Sequence, residues 1–91
     1  MEGELWDRTR TFAIDTVRFV RKLPNDPAGW VLGKQLLRPG TSIGADYREA
    51  RRARTRVEFL SQVQIALQEA EETRYWLELI ADQNWSCWSW C

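Results

Sequence analysis

Between Thr55 and Asp82 the chain sets apolar residues at three- and four-residue steps, with no glycine or proline to interrupt them. Phe59, Leu60, Val63, Ala66, Leu67, Ala70, Trp76, Leu77 and Ile80 keep the period of one helical face, and Gln62, Gln68, Glu69, Glu71, Glu72 and Glu78 take the others. A rod of this kind is stable only with its apolar side against other rods, so the pattern commits the chain to helix-on-helix packing. The helix should begin at Thr55-Arg56-Val57-Glu58, a capping box in which the Glu58 amide donates to the Thr55 hydroxyl and the Thr55 amide donates to the Glu58 carboxylate.

The preceding residues obey the same period. From Glu4 to Leu23, the positions Leu5, Trp6, Phe12, Ala13, Val17, Val20 and Leu23 mark a first helix. It should close at Leu23-Pro24-Asn25-Asp26-Pro27, because proline disfavours a helical residue before it and Asn and Asp favour turns. Asp26 then suits the N-cap, and Pro27 the first position, of a second helix carrying Trp30, Val31, Leu36 and Leu37. Arg38-Pro39-Gly40 interrupts it. Propensity alone places a break there, with Thr41 or Ser42 capping a fresh segment, and one long kinked helix is the alternative. After Asp82 the periodicity gives way to Gln83-Asn84-Trp85-Ser86-Cys87-Trp88-Ser89-Trp90-Cys91, an uncharged segment too short to be a stable helix of its own.

At 91 residues the chain supports one domain, and a domain of that size buries only about 60–65% of its unfolded surface. Its stability margin is therefore thin. Both cysteines lie in the tail, so no disulfide staples the body and folding must come from packing. Histidine is absent, which removes the commonest general base and the commonest metal ligand, and most enzyme chemistries lose their central residue with it. The chain is expected to act by association, without catalysis and without a cofactor. Charges at Glu2, Glu4, Asp7 and Arg8 stand where a secretory signal needs an apolar stretch, and no uncharged run is long enough for a membrane span. The expected location is the cytoplasm.

The run Leu37-Arg38-Pro39-Gly40-Thr41-Ser42-Ile43-Gly44-Ala45-Asp46-Tyr47-Arg48-Glu49-Ala50 is followed by Glu58-Phe59 and by Ile65-Ala66-Leu67-Gln68-Glu69-Ala70-Glu71-Glu72-Thr73-Arg74-Tyr75-Trp76-Leu77. Together these closely resemble the four-helix bundle proteins of the 23S ribosomal RNA intervening-sequence family, across roughly residues 5 to 82. The resemblance implies an up-and-down bundle that typically assembles as a homopentamer, has no known catalytic activity, and runs its second helix through the Pro39 region. Some relatives are accessory proteins of diversity-generating retroelements, so it also implies RNA or DNA, or a reverse transcriptase or other protein, as partners. Two positions depart from the pattern. Asp46 stands where the family usually carries Asn, and the Trp/Ser/Cys tail stands where the family continues into a fourth helix, as after a truncation or a change of reading frame. The expected fold is all-α: an antiparallel bundle of three main helices over residues 1–83, with an atypical tail at 84–91 and a groove that self-association would close.

The strongest functional lead lies between positions 48 and 56, where Arg48, Arg51, Arg52, Arg54 and Arg56 face one acid, Glu49. Arginine suits bidentate phosphate contact, so these five are the candidate nucleic-acid-binding residues. A competing account starts from charge symmetry. Seven basic and two acidic residues lie between 27 and 56, against one basic and six acidic between 57 and 91. A basic second helix beside an acidic third one, within or between subunits, would pair the arginines with Glu69, Glu71, Glu72 or Glu78. A carboxylate metal site from Glu69, Glu72 and Asp82 with Glu49 or Asp46 would need Glu-x-x-His motifs the chain lacks, so these acids read as a solvated face and as partners for arginine. Trp6, Trp30, Trp76 and Tyr47 fit core or interface positions better than base-stacking platforms. Gly40 and Gly44, beside Ser42 and Ala45, form a small-residue stripe that lets a helix approach closely. Cys87 and Cys91 are two free thiols. The tail tryptophans either cover the groove or form an adhesive surface.

Overall fold

The computed structural model describes residues 2–83 and 85. Three helices account for nearly all of them: α1 (Glu2–Arg21), α2 (Pro27–Arg51) and α3 (Arg56–Asp82). No strand occurs among the described residues, and the all-α expectation holds. Short turns join successive helices, so neighbours run antiparallel. Helix α2 packs on both partners, while no Cα atom of α1 lies within 8 Å of one in α3. Helix α2 is thus the one in close backbone contact with both others, and the molecule measures 47 × 20 × 16 Å. No helix among the described residues is long and apolar enough to cross a membrane. Asn84 and residues 86–91, including Cys87, Cys91, Trp88 and Trp90, lie outside the described residues.

The joint between α1 and α2 follows the local rules. Lys22 and Leu23 close α1 by donating to the Phe19 and Val20 carbonyls at 3.0 and 3.1 Å. Asp26 caps α2: its Oδ1 accepts from the Gly29 amide at 2.8 Å, and Pro27 occupies the first turn. A Cβ on residue 29 would sit 1.9 Å from the Pro24 carbonyl oxygen, so the turn folds back as tightly as it does only because that residue is glycine.

Helix α2 does not break at Pro39. The proline removes one amide from the helical ladder, but its ring is fully buried, so packing offsets the missing bond. The hydroxyls expected to cap a new segment turn back into the existing one. Thr41 Oγ1 donates to the Leu37 carbonyl at 2.7 Å, and Ser42 Oγ donates to that of Arg38 at 2.6 Å. The glycine stripe then sets how closely α1 lies. A Cβ on residue 40 would stand 2.8 Å from Thr16 Cγ2, and Thr16 is itself buried with its hydroxyl on the Phe12 carbonyl.

Helix α3 starts where the capping box places it, with Glu58 N donating to Thr55 Oγ1 at 3.1 Å. The reciprocal half differs from expectation: the Glu58 carboxylate accepts from the Arg54 amide, at 3.0 Å, and not from that of Thr55. The carboxylate therefore ties down the turn before the helix as well as its first residues.

The core is small and sits at one end of the molecule, where α1 ends, α2 begins and α3 ends. Leu23, Leu36 and Ile80 are buried there, with Phe19, Val20, Leu32, Trp76 and Trp85 packed against them. Trp85 thus covers core, one of the two fates considered for the tail tryptophans. Of the two places expected for Trp30, core or interface, the core is excluded within one copy: it is 60% exposed, and its indole Nε1 donates to Asn25 Oδ1. Leu5, Phe12, Phe59, Leu60, Leu67 and Leu77 also remain exposed in a single copy. In Gly40→Leu, overpacking against Thr16 should cost about 1–3 kcal/mol. The urea midpoint should fall accordingly, while Gly3→Ala, where a Cβ meets nothing within 4 Å, leaves it unlowered. Thr55→Ala should lose about 0.5–2 kcal/mol by uncapping α3; an unmoved midpoint would mean that the hydroxyl contributes nothing to the helix start.

Candidate nucleic-acid interface

The candidate arginines gather at the end of the molecule opposite the core, where α2 finishes, α3 starts and α1 begins. Helical spacing puts Arg48 and Arg51 on adjoining faces of the last turn of α2, Arg52 caps that helix, and Arg54 and Arg56 follow on the turn and the start of α3. Arg51, Arg52, Arg54 and Arg56 are exposed, whereas Arg48 is half-buried.

Trp6 organises the α1 side of this end. The Arg48 guanidinium lies 4.0 Å from the centre of the Trp6 ring and that of Arg51 lies 5.2 Å away, both within cation–π range. The position leaves Arg48 short of one hydrogen bond, since its Nε is buried without a partner. Trp6 is therefore a platform for arginine, which fixes the outer turn of α2 against α1.

Beside it, Arg10, Arg48 and Arg52 line an open groove between α1 and α2 together with Thr9, Thr41, Gly44 and Glu49. The groove encloses about 380 Å³. Gly44 lets α1 lie close at its floor: a Cβ on residue 44 would stand 3.1 Å from Thr9 Oγ1 and 3.3 Å from Thr9 Cβ. Arg52 also borders a second hollow, with Val57, Glu58, Ser61 and Gln62, at the turn into α3. Three guanidinium groups with a single carboxylate among them suit an anion more than an apolar ligand.

Sequence reasoning missed Arg10. It sits four residues after Trp6 and three before Ala13, within the stripe that packs α1 on α2, and that spacing was the available signal. The competing account pairs arginines of α2 with acids of α3, and within one copy Arg38 does so. Arg38 reaches Glu72, and approaches Glu69 at 3.9 Å, across the α2–α3 interface. Glu78 pairs with Arg74 in its own helix at 3.1 Å. Among the described residues no ion pair joins Arg48, Arg52, Arg54 or Arg56 to an acid of α3. Exposed pairs of the Arg74–Glu78 kind are worth little. No three of the acids in the described residues converge on a point that could hold a metal ion.

The model of the 23S rRNA-intervening sequence protein family matches residues 1–86. Among solved structures, a protein of unknown function from the S23 ribosomal protein family of Bacteroides thetaiotaomicron is 43% identical to the chain and superposes with a TM-score of 0.83. That match covers 89% of this chain and 75% of the other. A comparison with curated proteins finds no match. With the family pattern spanning all three helices, the chain belongs to the 23S rRNA-intervening sequence protein family.

Proposed function

We propose that the chain is a non-enzymatic, oligomeric helical-bundle protein that binds nucleic acid, alone or within a ribonucleoprotein, through its basic end. One observation carries the reading: Arg10, Arg48 and Arg52 surround an open groove, with Arg54 and Arg56 exposed nearby, while the α3 acids at 69 and 72 are taken up by Arg38. Arginines that are not neutralised by neighbouring carboxylates keep their field for phosphate. The family's name points to RNA, and an RNA partner places the work in the cytoplasm; a reverse transcriptase or another nucleic-acid-bound protein would serve as a second partner. Assembly, to a pentamer as the resemblance implies, multiplies the patch, so weak binding by one copy adds up.

The triple variant Arg52→Glu/Arg54→Glu/Arg56→Glu tests this, since all three side chains are exposed and their loss leaves the packing alone. Fluorescence anisotropy with single- and double-stranded RNA and DNA should show binding by the unaltered chain that weakens steeply with salt. In the variant, affinity should fall at least about tenfold and the salt slope should shrink by about one for each phosphate no longer engaged. No binding by the unaltered chain at low salt would refute the reading.

A second reading, a structural scaffold without nucleic acid, draws on the exposed apolar stripes. Leu5 and Phe12 recur at a seven-residue step on α1, and Phe12 lines an apolar hollow with Ile43 of α2. Phe59, Leu67 and Leu77 are exposed on α3. Surfaces of this kind are normally covered by another chain. Light scattering should give a mass several times that of one chain, and Phe12→Glu should reduce it. A single-copy mass for the unaltered chain removes the oligomer from both readings.

A further inference from the structure

Helices α2 and α3 meet through carboxyl groups. Asp46 Oδ2 and Glu69 Oε1 are both shut off from solvent, and no N–H or O–H donor reaches either. Asp46 of α2 is also the neighbour whose hydrogen bond and charge act on Glu69 of α3. Two ionised carboxylates can only accept, so they would leave both oxygens unsatisfied and like charges in contact. One proton resolves both problems, because a protonated Glu69 donates to Asp46.

We propose that Asp46 and Glu69 share a proton across the α2–α3 interface, forming a carboxyl–carboxylate hydrogen bond that fastens the two helices and is released when the proton leaves. The surroundings support it. From α2, Arg38 approaches Glu69 at 3.9 Å but also engages Glu72, so its charge is divided. From α3, Glu72 adds a further negative charge. Arg48, two residues from Asp46, is turned onto Trp6. No α1 backbone comes near α3. Burial first, then the hydrogen bond and charge of Asp46 and the charge of Glu72, push the Glu69 carboxyl up to about 7 against the pull of Arg38.

The direction of the pH dependence follows. Glu69 binds its proton more tightly in the folded chain than at its ordinary value of 4.5. The stabilisation is therefore complete below that value, is lost as pH rises toward about 7, and is absent above. In a chain without histidine, this pair supplies a protonation change near neutrality that imidazole would otherwise provide.

The test is a carbon-detected NMR titration of the Glu69 side-chain carboxyl in the full chain, with urea midpoints at about pH 5.5 and about pH 8. Glu69 should titrate near 7, and the midpoint should be higher at the lower pH. In Asp46→Asn the new amide donates to ionised Glu69, so its proton affinity should drop at least about tenfold and the gap between midpoints should shrink. Glu69→Gln replaces the proton by a permanent N–H donor, and its midpoint should hold up at the higher pH. The proposal is overturned if Glu69 titrates in the ordinary carboxylate range. It is equally overturned if Asp46→Asn leaves the Glu69 titration unmoved, or if Glu69→Gln keeps the full loss of stability between the two pH values.

Discussion

Although α1 and α3 share side-chain packing at the core end, they have no close backbone approach, so most of the packing between helices runs through α2, and α2 reaches both ends of its neighbours only by continuing past Pro39. A break there would detach the core end from the basic end. Continuation is stabilised from outside the helix, by burial of the pyrrolidine ring, and from inside it, by Thr41 and Ser42 hydroxyls returned to carbonyls one turn back. Once α2 is a single rod, its glycines bring α1 close on one side, and Arg38 and Asp46 face α3 on the other.

The two interfaces of α2 differ in kind. Toward α1 the contact is close and steric, built on Gly40 against Thr16 and Gly44 against Thr9. Toward α3 it contains ionisable groups, with Arg38, Asp46, Glu69 and Glu72 gathered in its middle, and at the core end Leu36 and Ile80 give it an apolar anchor. Much of the apolar surface of α3, including Phe59, Leu67 and Leu77, faces away from α2. This division explains how a strongly amphipathic helix can be held by its neighbour and still present an apolar surface to a further one.

How much of this was legible depended on whether the cause was local. The third helix, its Thr55 cap and the Asp26-Pro27 start of α2 were readable, because period and capping act within a few residues. Continuity through Pro39 was not readable from propensity, since it rests on burial of the ring by distant residues; the resemblance supplied it. Glu58 was placed correctly as a capping residue, but its choice of the Arg54 amide depends on how the turn closes. Spacing left Trp30 between core and interface, and only the fold shows it on the surface of one copy, hydrogen-bonded to Asn25. At the basic end the five arginines stood out in the sequence, while Arg10 did not, because only the packing of α1 on α2 brings it to Arg48 and Arg52.

The placement of the core at one end also bears on how the chain breathes. The three helices share side-chain packing there, so the opposite end is the part that opens more readily. The outer turns of α1, latched by Trp6 but far from the Leu36 cluster, can peel away while α2 and α3 stay paired. Amide exchange would then be graded along α1, fastest near Trp6 and slowest toward Phe19, and a ligand lying across Arg10 and Arg52 would slow it by bridging the two helices.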